Sequence, residues 1–365
     1  MKKYRIFILP FLFSCGEIIA QAPVHQQPAP AVHKPSGHDT VKAIKETPEQ
    51  GAKTSYNKGL DNFSKKDYTA ALSNFKEAIS GNPKFEAAYL GLANTHLRQK
   101  DNRDAADDYK AALKLDSNDE KAWYGLGQAE TMLGNKGQAM TAFTHFVKKN
   151  TGNGDVWYCL GELQVKVNNY NEALTDFTLA ISSKANFAEA YNDRGVCNYQ
   201  LGNYQTAAND YRQALALAKT PEAYNNLGNA EYKSNSYDEA IAAFSQAITL
   251  NSQYADAYNN RGTVYLDKKN YPDAVTDFDK AIQLDSTNVY AYCNRAVAEY
   301  RTNELESAKA DCDKAIAIRP GYGAAYLNRG IIEELLRNDK DACSDWQKAA
   351  QYGVVAANDY VKDCK

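Results

Sequence analysis

The sequence predicts an all-α solenoid of about nine helix-turn-helix units that ends in a C-terminal capping helix. Its main feature is a small residue that recurs nine times at intervals of 33 or 34 residues: Gly59, Ala93, Gly127, Gly161, Gly195, Gly228, Gly262, Ala296 and Gly330. An alanine follows each of them twelve positions later, from Ala71 in the first unit to Ala342 in the last. A fixed period of this length is typical of a repeat protein in which each unit packs on its neighbours.

Each unit is predicted to contain two antiparallel helices, and we number its residues so that the recurring small residue is position 8. An aromatic residue stands at position 4 of eight units and at position 24 of eight units. Positions 4 and 8 share one face of the first helix, and positions 20 and 24 share one face of the second. Small residues at positions 8 and 20 allow the helices to approach closely, and the rings fill the space between units. Turn residues such as Gly134-Asn135 and Gly202-Asn203 separate the two helices.

The pattern of these positions resembles the tetratricopeptide repeat. The resemblance rests on W/Y-x-x-L/R-G/A in the first helix, on A, F/Y and A in the second, and on Pro or Ser at the ends of units, as at Pro83 and Pro320. It covers roughly residues 52–352. It implies a right-handed superhelical solenoid from a family whose members are chiefly scaffolds that bind peptides and partner proteins in a concave groove.

The segments outside the repeats are predicted to serve export and to cap the array. Residues 1–22 are predicted to be an export signal, with a basic start, an apolar core over residues 6–13 and two cleavage alternatives. A lipobox ending at Cys15 gives a membrane-tethered lipoprotein of the cell envelope, whereas an A-x-A site at residues 20–22 gives a soluble periplasmic or secreted protein. The short apolar core and Glu17 favour lipidation of Cys15. Residues 23–50 are predicted to be a Pro-rich disordered linker, residues 51–352 the nine units, and residues 353–365 the capping helix.

Charge and motifs narrow the class of function. The net charge of −3 argues against a nucleic-acid partner, because such binding depends on neutralising phosphates. No segment after residue 22 has the run of about 18 apolar residues that a membrane-spanning helix needs, so we expect membrane association only through a lipid anchor. The sequence has no Gly-rich phosphate loop, no H-E-x-x-H and no C-x-x-C. We therefore expect no enzymatic activity, no cofactor and no metal.

The predicted binding surface is the face of the first helices that lines the groove in the tetratricopeptide family. The resemblance assigns positions 2, 5, 6, 9, 12 and 13 to this face, which is one stripe by helical spacing. Here the stripe is rich in amides and tyrosines, and the candidate peptide-binding residues are Asn192, Asn225, Asn226, Asn229, Tyr232, Asn259, Asn260, Asn294, Tyr300 and Asn328. Acidic residues at position 2, such as Glu222 and Asp256, form an edge that favours a basic or neutral segment.

Four asparagines at position 6 form a ladder, for which the sequence leaves two hypotheses: Asn226, Asn260, Asn294 and Asn328. An amide offers the same donors and acceptor as a peptide unit, so exposed amides would hold an extended peptide. Alternatively, Asn is common at position 6 in the family and bonds to neighbouring helices. On the first hypothesis the protein binds polypeptide partners in a cell-envelope assembly. Two alternatives are an envelope protein that binds glycan or peptidoglycan and a spacer with no specific ligand.

Cys343 and Cys364 are predicted to form a disulfide. Each lies about ten residues from the turn at Tyr352-Gly353, and therefore ~15 Å along an antiparallel helix pair. An exported protein matures where disulfides persist. The alternative is that these two, like Cys159, Cys197, Cys293 and Cys312, are small buried apolar residues.

Overall fold

The computed structural model describes residues 47–362 and residue 364, and this part of the chain consists of helices and connecting turns without a β-strand. One compact unit, residues 47–185, holds α1 (Pro48–Ser64), α2 (Tyr68–Gly81), α3 (Glu86–Gln99), α4 (Asn102–Leu115), α5 (Glu120–Met132), α6 (Lys136–Val147), α7 (Gly154–Val165) and α8 (Tyr170–Ser183). A second, residues 186–364, holds α9 (Ala188–Gln200), α10 (Tyr204–Leu217), α11 (Pro221–Lys233), α12 (Tyr237–Leu250), α13 (Ala255–Asp267), α14 (Tyr271–Leu284), α15 (Val289–Arg301), α16 (Leu305–Ile318), α17 (Gly323–Leu335), α18 (Asp339–Gln351) and α19 (Ala357–Val361). The predicted all-α fold is confirmed.

Each predicted unit is one helix pair, and we call its first helix the A helix and its second the B helix. The alanine at position 20 is completely buried in all nine pairs. In the seven pairs with glycine at position 8, the ring at position 24 of the B helix lies against that glycine of the A helix. A Cβ atom on Gly127 would lie 2.5 Å from the ring of Phe143, so only glycine allows this approach. The small residues therefore bring the two helices together, as the sequence predicts.

The turn inside every pair contains a residue with positive φ at position 15. These residues have φ between 61° and 83°, and they are Lys66, Lys100, Gly134, Asn168, Gly202, Asn235, Lys269, Asn303 and Arg337. A left-handed residue is a common way to end a helix, because its N–H bonds back to a carbonyl of the last turn. The same turn is therefore used nine times, including at the two positions where the sequence has glycine.

The two ends of the described array differ slightly from the predicted boundaries. The first helix begins at Pro48, three residues before the predicted start of the repeats. Thr47 caps it, because the Thr47 side chain accepts from Gln50 N at 3.3 Å and the Gln50 side chain accepts from Thr47 N at 3.0 Å. The capping helix α19 is shorter than the predicted range of 353–365. No described helix is long and apolar enough to cross a bilayer.

The cysteines of the described region are either disulfide-bonded or free thiols. Cys343 and Cys364 are joined in a disulfide with an S–S distance of 2.07 Å, which is the pairing that the sequence predicts. This bond ties the segment after α19 to α18. Cys197, Cys293 and Cys312 are buried with free thiols. Cys15, the rest of the export signal and residues 23–46 of the linker lie outside the described residues.

Candidate functional site

The ten candidate groove residues lie on the A helices α9, α11, α13, α15 and α17, at recurring positions of the helix pairs. Five of them are half-buried: Asn192, Tyr232, Asn259, Tyr300 and Asn328. The expectation of exposed amides is wrong for the other five, which are buried: Asn225, Asn226, Asn229, Asn260 and Asn294. The reason is that neighbouring A helices contact each other directly, so these side chains lie within the helix–helix contact.

Adjacent A helices are linked by a series of amide contacts that we call the amide seam. In each link, Nδ2 of the position 6 asparagine donates to Oδ1 of the position 5 asparagine one pair earlier: Asn226 to Asn192 at 3.3 Å, Asn260 to Asn225 at 3.1 Å, and Asn294 to Asn259 at 3.2 Å. Asn294 Nδ2 also lies 3.3 Å from Thr263 Oγ1. Three of the four ladder residues therefore bond to the neighbouring pair, as the structural hypothesis expects.

The fourth ladder residue, Asn328, has no such link. Position 5 of the preceding pair is Cys293, a buried thiol that cannot replace the amide oxygen as a strong acceptor. The Asn328 side chain is half-buried and makes no hydrogen bond to any residue that the structure describes. The amide of Asn328 is therefore the one in the ladder that can accept and donate hydrogen bonds to a ligand.

Asn229 is completely buried, and neither Oδ1 nor Nδ2 of its amide has a hydrogen-bond partner within the described chain. In two other pairs the same position 9 is occupied by a buried valine, Val196 or Val297. A buried polar group without a partner loses its hydration without compensation, so it lowers stability. Because the side chain has no exposed surface, Asn229 is not accessible to a ligand in this conformation.

The two candidate tyrosines at position 12 keep part of their rings exposed. Tyr232 Oη donates to Asp267 Oδ2 at 2.5 Å, which links α11 to α13. The guanidinium carbon of Arg301 lies 5.1 Å from the ring centroid of Tyr300, within the range of a cation–π contact. Both rings therefore belong to polar clusters at the ends of their A helices and still have accessible area.

The predicted acidic edge is present at position 2 of α11 and α13. Glu222 and Asp256 are half-buried, and neither forms an ion pair with a described residue. Burial and the carboxylate of Asp285 raise the pKa of Asp256, while burial and both position 2 carboxylates raise the pKa of Tyr254. These groups therefore form an acidic and aromatic cluster without a cation. Within residues 47–362 and 364, no group of three or more His, Cys, Asp or Glu side chains is arranged to hold a metal ion.

A set of ion pairs between arginine and aspartate was not predicted from the sequence. Arginine at position 7 binds aspartate at position 23 of its own pair at 2.6 or 2.7 Å: Arg194–Asp210, Arg261–Asp277, Arg295–Asp311 and Arg329–Asp345. Two other pairs hold leucine and alanine at these positions, Leu126 with Ala142 and Leu227 with Ala243. Two further pairs combine leucine at position 7 with aspartate at position 23, Leu92 with Asp108 and Leu160 with Asp176, so aspartate occurs without arginine. Arginine at position 7, however, occurs only together with aspartate at position 23, and this association is the signal that the sequence contains.

Family models for the repeat match most of the repeat region. Models described as tetratricopeptide repeat match residues 56–120 and 90–153, residues 188–220 and 255–288, and residues 289–322. A model described as TPR repeat matches residues 228–269. No curated protein sequence matches the chain at a significant level.

Solved structures of other repeat proteins resemble the chain in fold. Pseudomonas aeruginosa pilF is 20% identical, with a TM-score of 0.51 over 58% of this chain and 97% of its own. The anaphase-promoting complex hetero-tetramer Cut9–Hcn1 is 14% identical, with a TM-score of 0.53 over 88% of this chain and 78% of its own. YrrB, a TPR protein with an unusual peptide-binding site, is 23% identical, with a TM-score of 0.45 over 51% of this chain and 97% of its own.

The repeat models together cover more than half of the chain, and their matches fall on the helix pairs that the structure contains. The two structures with TM-scores above 0.5 share the all-α architecture of stacked helix pairs. The chain therefore belongs to the tetratricopeptide repeat proteins.

Proposed function

We propose that this protein is a non-catalytic scaffold that binds a polypeptide segment along the A helices of residues 186–364. The observation that carries the proposal is a stripe of side chains that stay accessible although the amide seam is buried: Glu222, Tyr232, Asp256, Tyr300 and Asn328. Tetratricopeptide repeat proteins typically bind proteins or peptides. The accessible residues lie on the groove stripe of four A helices, so they suit an extended ligand rather than a small molecule.

The chemistry of this stripe favours a segment that is basic or neutral. Glu222 and Asp256 have no cationic partner among the described residues, so a lysine or arginine of a partner would complement them. Asn328 offers an amide whose donors and acceptor match those of a peptide unit. A partner with a cluster of carboxylates would be repelled by the acidic edge.

We further propose that the protein acts in a cell-envelope assembly, tethered by a lipid at Cys15. This proposal rests on the sequence pattern that predicts an export signal over residues 1–22 and a lipobox ending at Cys15. Mass spectrometry of the native protein is expected to show an N-terminus at Cys15 with acyl mass, together with partition into detergent. An N-terminus at Pro23 in a soluble fraction would contradict the tether.

The groove is tested by capture from solubilised envelopes with the wild-type chain and with the variant Glu222→Gln/Asp256→Asn/Asn328→Ala. If each side chain contributes about 1 kcal/mol to binding, the variant binds its partner roughly a hundredfold more weakly. Melting temperature is expected to change little, because none of the three makes an ion pair or hydrogen bond through its side chain within the described chain.

A matched control removes two carboxylates and one amide from exposed positions of the B helices, as Glu239→Gln/Glu306→Gln/Gln213→Ala. This control is expected to capture the same partner as the wild type. Equal capture by the groove variant would refute the peptide-binding site. Capture of cell-wall glycan, with no stoichiometric protein, would support the glycan-binding alternative instead.

A further inference from the structure

The turns within the helix pairs of residues 47–185 form a surface that the proposed groove does not use. We call it the turn edge, and it consists of positions 13–18 of four pairs, residues 64–69, 98–103, 132–137 and 166–171. Lys136 Nζ donates to the Lys166 carbonyl at 3.0 Å, so the turns of adjacent pairs lie against each other. The turns of these two pairs therefore form one surface at one end of the helices.

Basic residues dominate the turn edge. It contains seven of them, Lys65, Lys66, Arg98, Lys100, Arg103, Lys136 and Lys166, against two acidic residues, Asp67 and Asp101. The carboxylate of Asp67 accepts from Ala70 N at 3.1 Å, so it caps α2. Of the seven cations, only Lys65 forms an ion pair within the described residues, with Asp61. The equivalent positions of residues 186–364 carry six basic and five acidic residues, so the excess is specific to the first unit.

Apolar side chains are exposed next to these cations. Met132 and Leu133 end α5 and are 43% and 37% exposed, and Val167 follows α7 with 37% exposed. Leu133 and Val167 occupy the same position 14 of consecutive pairs, where the first pair has Lys65. The turns of the first two pairs therefore carry five of the seven cations, and the turns of the next two pairs carry the exposed apolar side chains.

We infer that the turn edge docks on the surface of an anionic lipid bilayer. Lysine and arginine near such a surface are attracted by its negative potential, and apolar side chains at the tips gain by entering the boundary between headgroups and acyl chains. A soluble polyanion would use only the cations and would gain nothing from Leu133 and Val167. The combination of both kinds of side chain on one edge is what favours a bilayer.

This inference goes beyond the proposed scaffold function and is independent of it. The groove residues lie on α11 to α17, whereas the turn edge belongs to α1 to α8. The sequence suggested a lipid anchor as the sole membrane contact, and the turn edge adds a peripheral contact made by the folded repeats.

The test is sedimentation with vesicles at low salt, using the chain from Pro23 onwards, which carries neither the apolar export segment nor Cys15. It is expected to bind vesicles of phosphatidylglycerol mixed with phosphatidylcholine and to bind pure phosphatidylcholine much more weakly. Binding is expected to weaken as salt is raised, because salt screens the attraction. Absence of binding to the anionic vesicles, or equal binding to both kinds, would overturn the inference.

Two variants separate the contributions of charge and of apolar tips. Lys66→Gln/Arg98→Gln/Lys100→Gln is expected to bind on the order of a hundredfold more weakly, since each cation near an anionic surface contributes about fivefold. Leu133→Ser/Val167→Ser is expected to bind the anionic vesicles about tenfold more weakly. Circular dichroism verifies that both variants remain folded.

The matched control is Lys114→Gln/Lys121→Gln/Lys148→Gln, which removes the same charge from exposed positions outside the turn edge. It is expected to bind the anionic vesicles nearly as well as the wild type. If the control loses as much affinity for the vesicles as the turn-edge variant, binding depends only on the net charge of the protein, and the docking surface is refuted. If soluble polyphosphate binds as tightly and the serine variant loses nothing, the ligand is a polyanion and not a bilayer.

Discussion

The amide seam is expected to stabilise the second unit, and its removal tests whether the ladder asparagines serve the fold. The perturbation is Asn226→Ala/Asn260→Ala/Asn294→Ala, which removes the donor of all three links between A helices. Each lost hydrogen bond is expected to cost about 0.5–1.5 kcal/mol. Asn225 is itself buried, so leaving its oxygen unpaired adds about 1–3 kcal/mol.

The three lost hydrogen bonds and the unpaired oxygen of Asn225 together predict a loss of roughly 2.5–7.5 kcal/mol in the free energy of unfolding of this unit. For a unit of this size, this corresponds to a fall in melting temperature of about 5–30 °C. The assay is thermal and urea unfolding followed by circular dichroism. Amide hydrogen exchange is expected to show faster opening of α11, α13 and α15, because those helices lose the links.

The matched control is Asn328→Ala, which removes the same side chain from the same position of a pair without a seam link. Its cost is expected to be within about 0.5 kcal/mol, because the amide is half-buried and bonds to no described residue. A single Asn260→Ala substitution that costs no more than Asn328→Ala would refute a stabilising role of the seam. The position 6 amides would then be free to serve a ligand, as the peptide hypothesis requires.

Three further predictions concern other groups of the second unit. Asn229→Val is expected to raise the free energy of unfolding by about 1–3 kcal/mol, because it removes a buried amide without a partner, and a lower melting temperature would contradict this. Burial and the neighbouring Asp311 carboxylate raise the pKa of Glu299 to about 7 in the folded protein. This shift stabilises the fold fully at pH values below the unfolded-state pKa of the side chain. The stabilisation is lost as the pH rises through the folded-state pKa of about 7. The melting temperature of the wild type is therefore expected to fall between about pH 5 and pH 8 by more than that of Glu299→Gln. An equal fall in both proteins would refute this prediction. Cys343→Ser/Cys364→Ser is expected to cost about 2–4 kcal/mol and to increase hydrogen exchange in α19, whereas an unchanged melting temperature of the wild type in reductant would contradict it.

Much of the fold could be predicted from the sequence because the information is local and repeated. The interval of 33 or 34 residues defined the helix pairs, and the glycines at position 8 indicated where the two helices of a pair meet. Gly134 and Gly202 marked the turn, although lysine, asparagine and arginine adopt the same left-handed conformation in the other seven pairs. α1 begins three residues before the predicted start of the repeats, because Thr47 and Gln50 form a capping box there.

Which asparagines of the candidate site are buried and which remain accessible depends on the tertiary structure alone. Helical spacing placed Asn226, Asn260 and Asn328 on one stripe, but it could not say whether that stripe faces a groove or the next A helix. The answer depends on how closely successive pairs pack and on the residue at position 5 of the preceding pair. Asn260 donates to the amide of Asn225 at that position, whereas the residue at that position before Asn328 is Cys293. A repeat in the sequence specifies which residues are equivalent, whereas hydrogen bonding and burial depend on the neighbour that each pair happens to have.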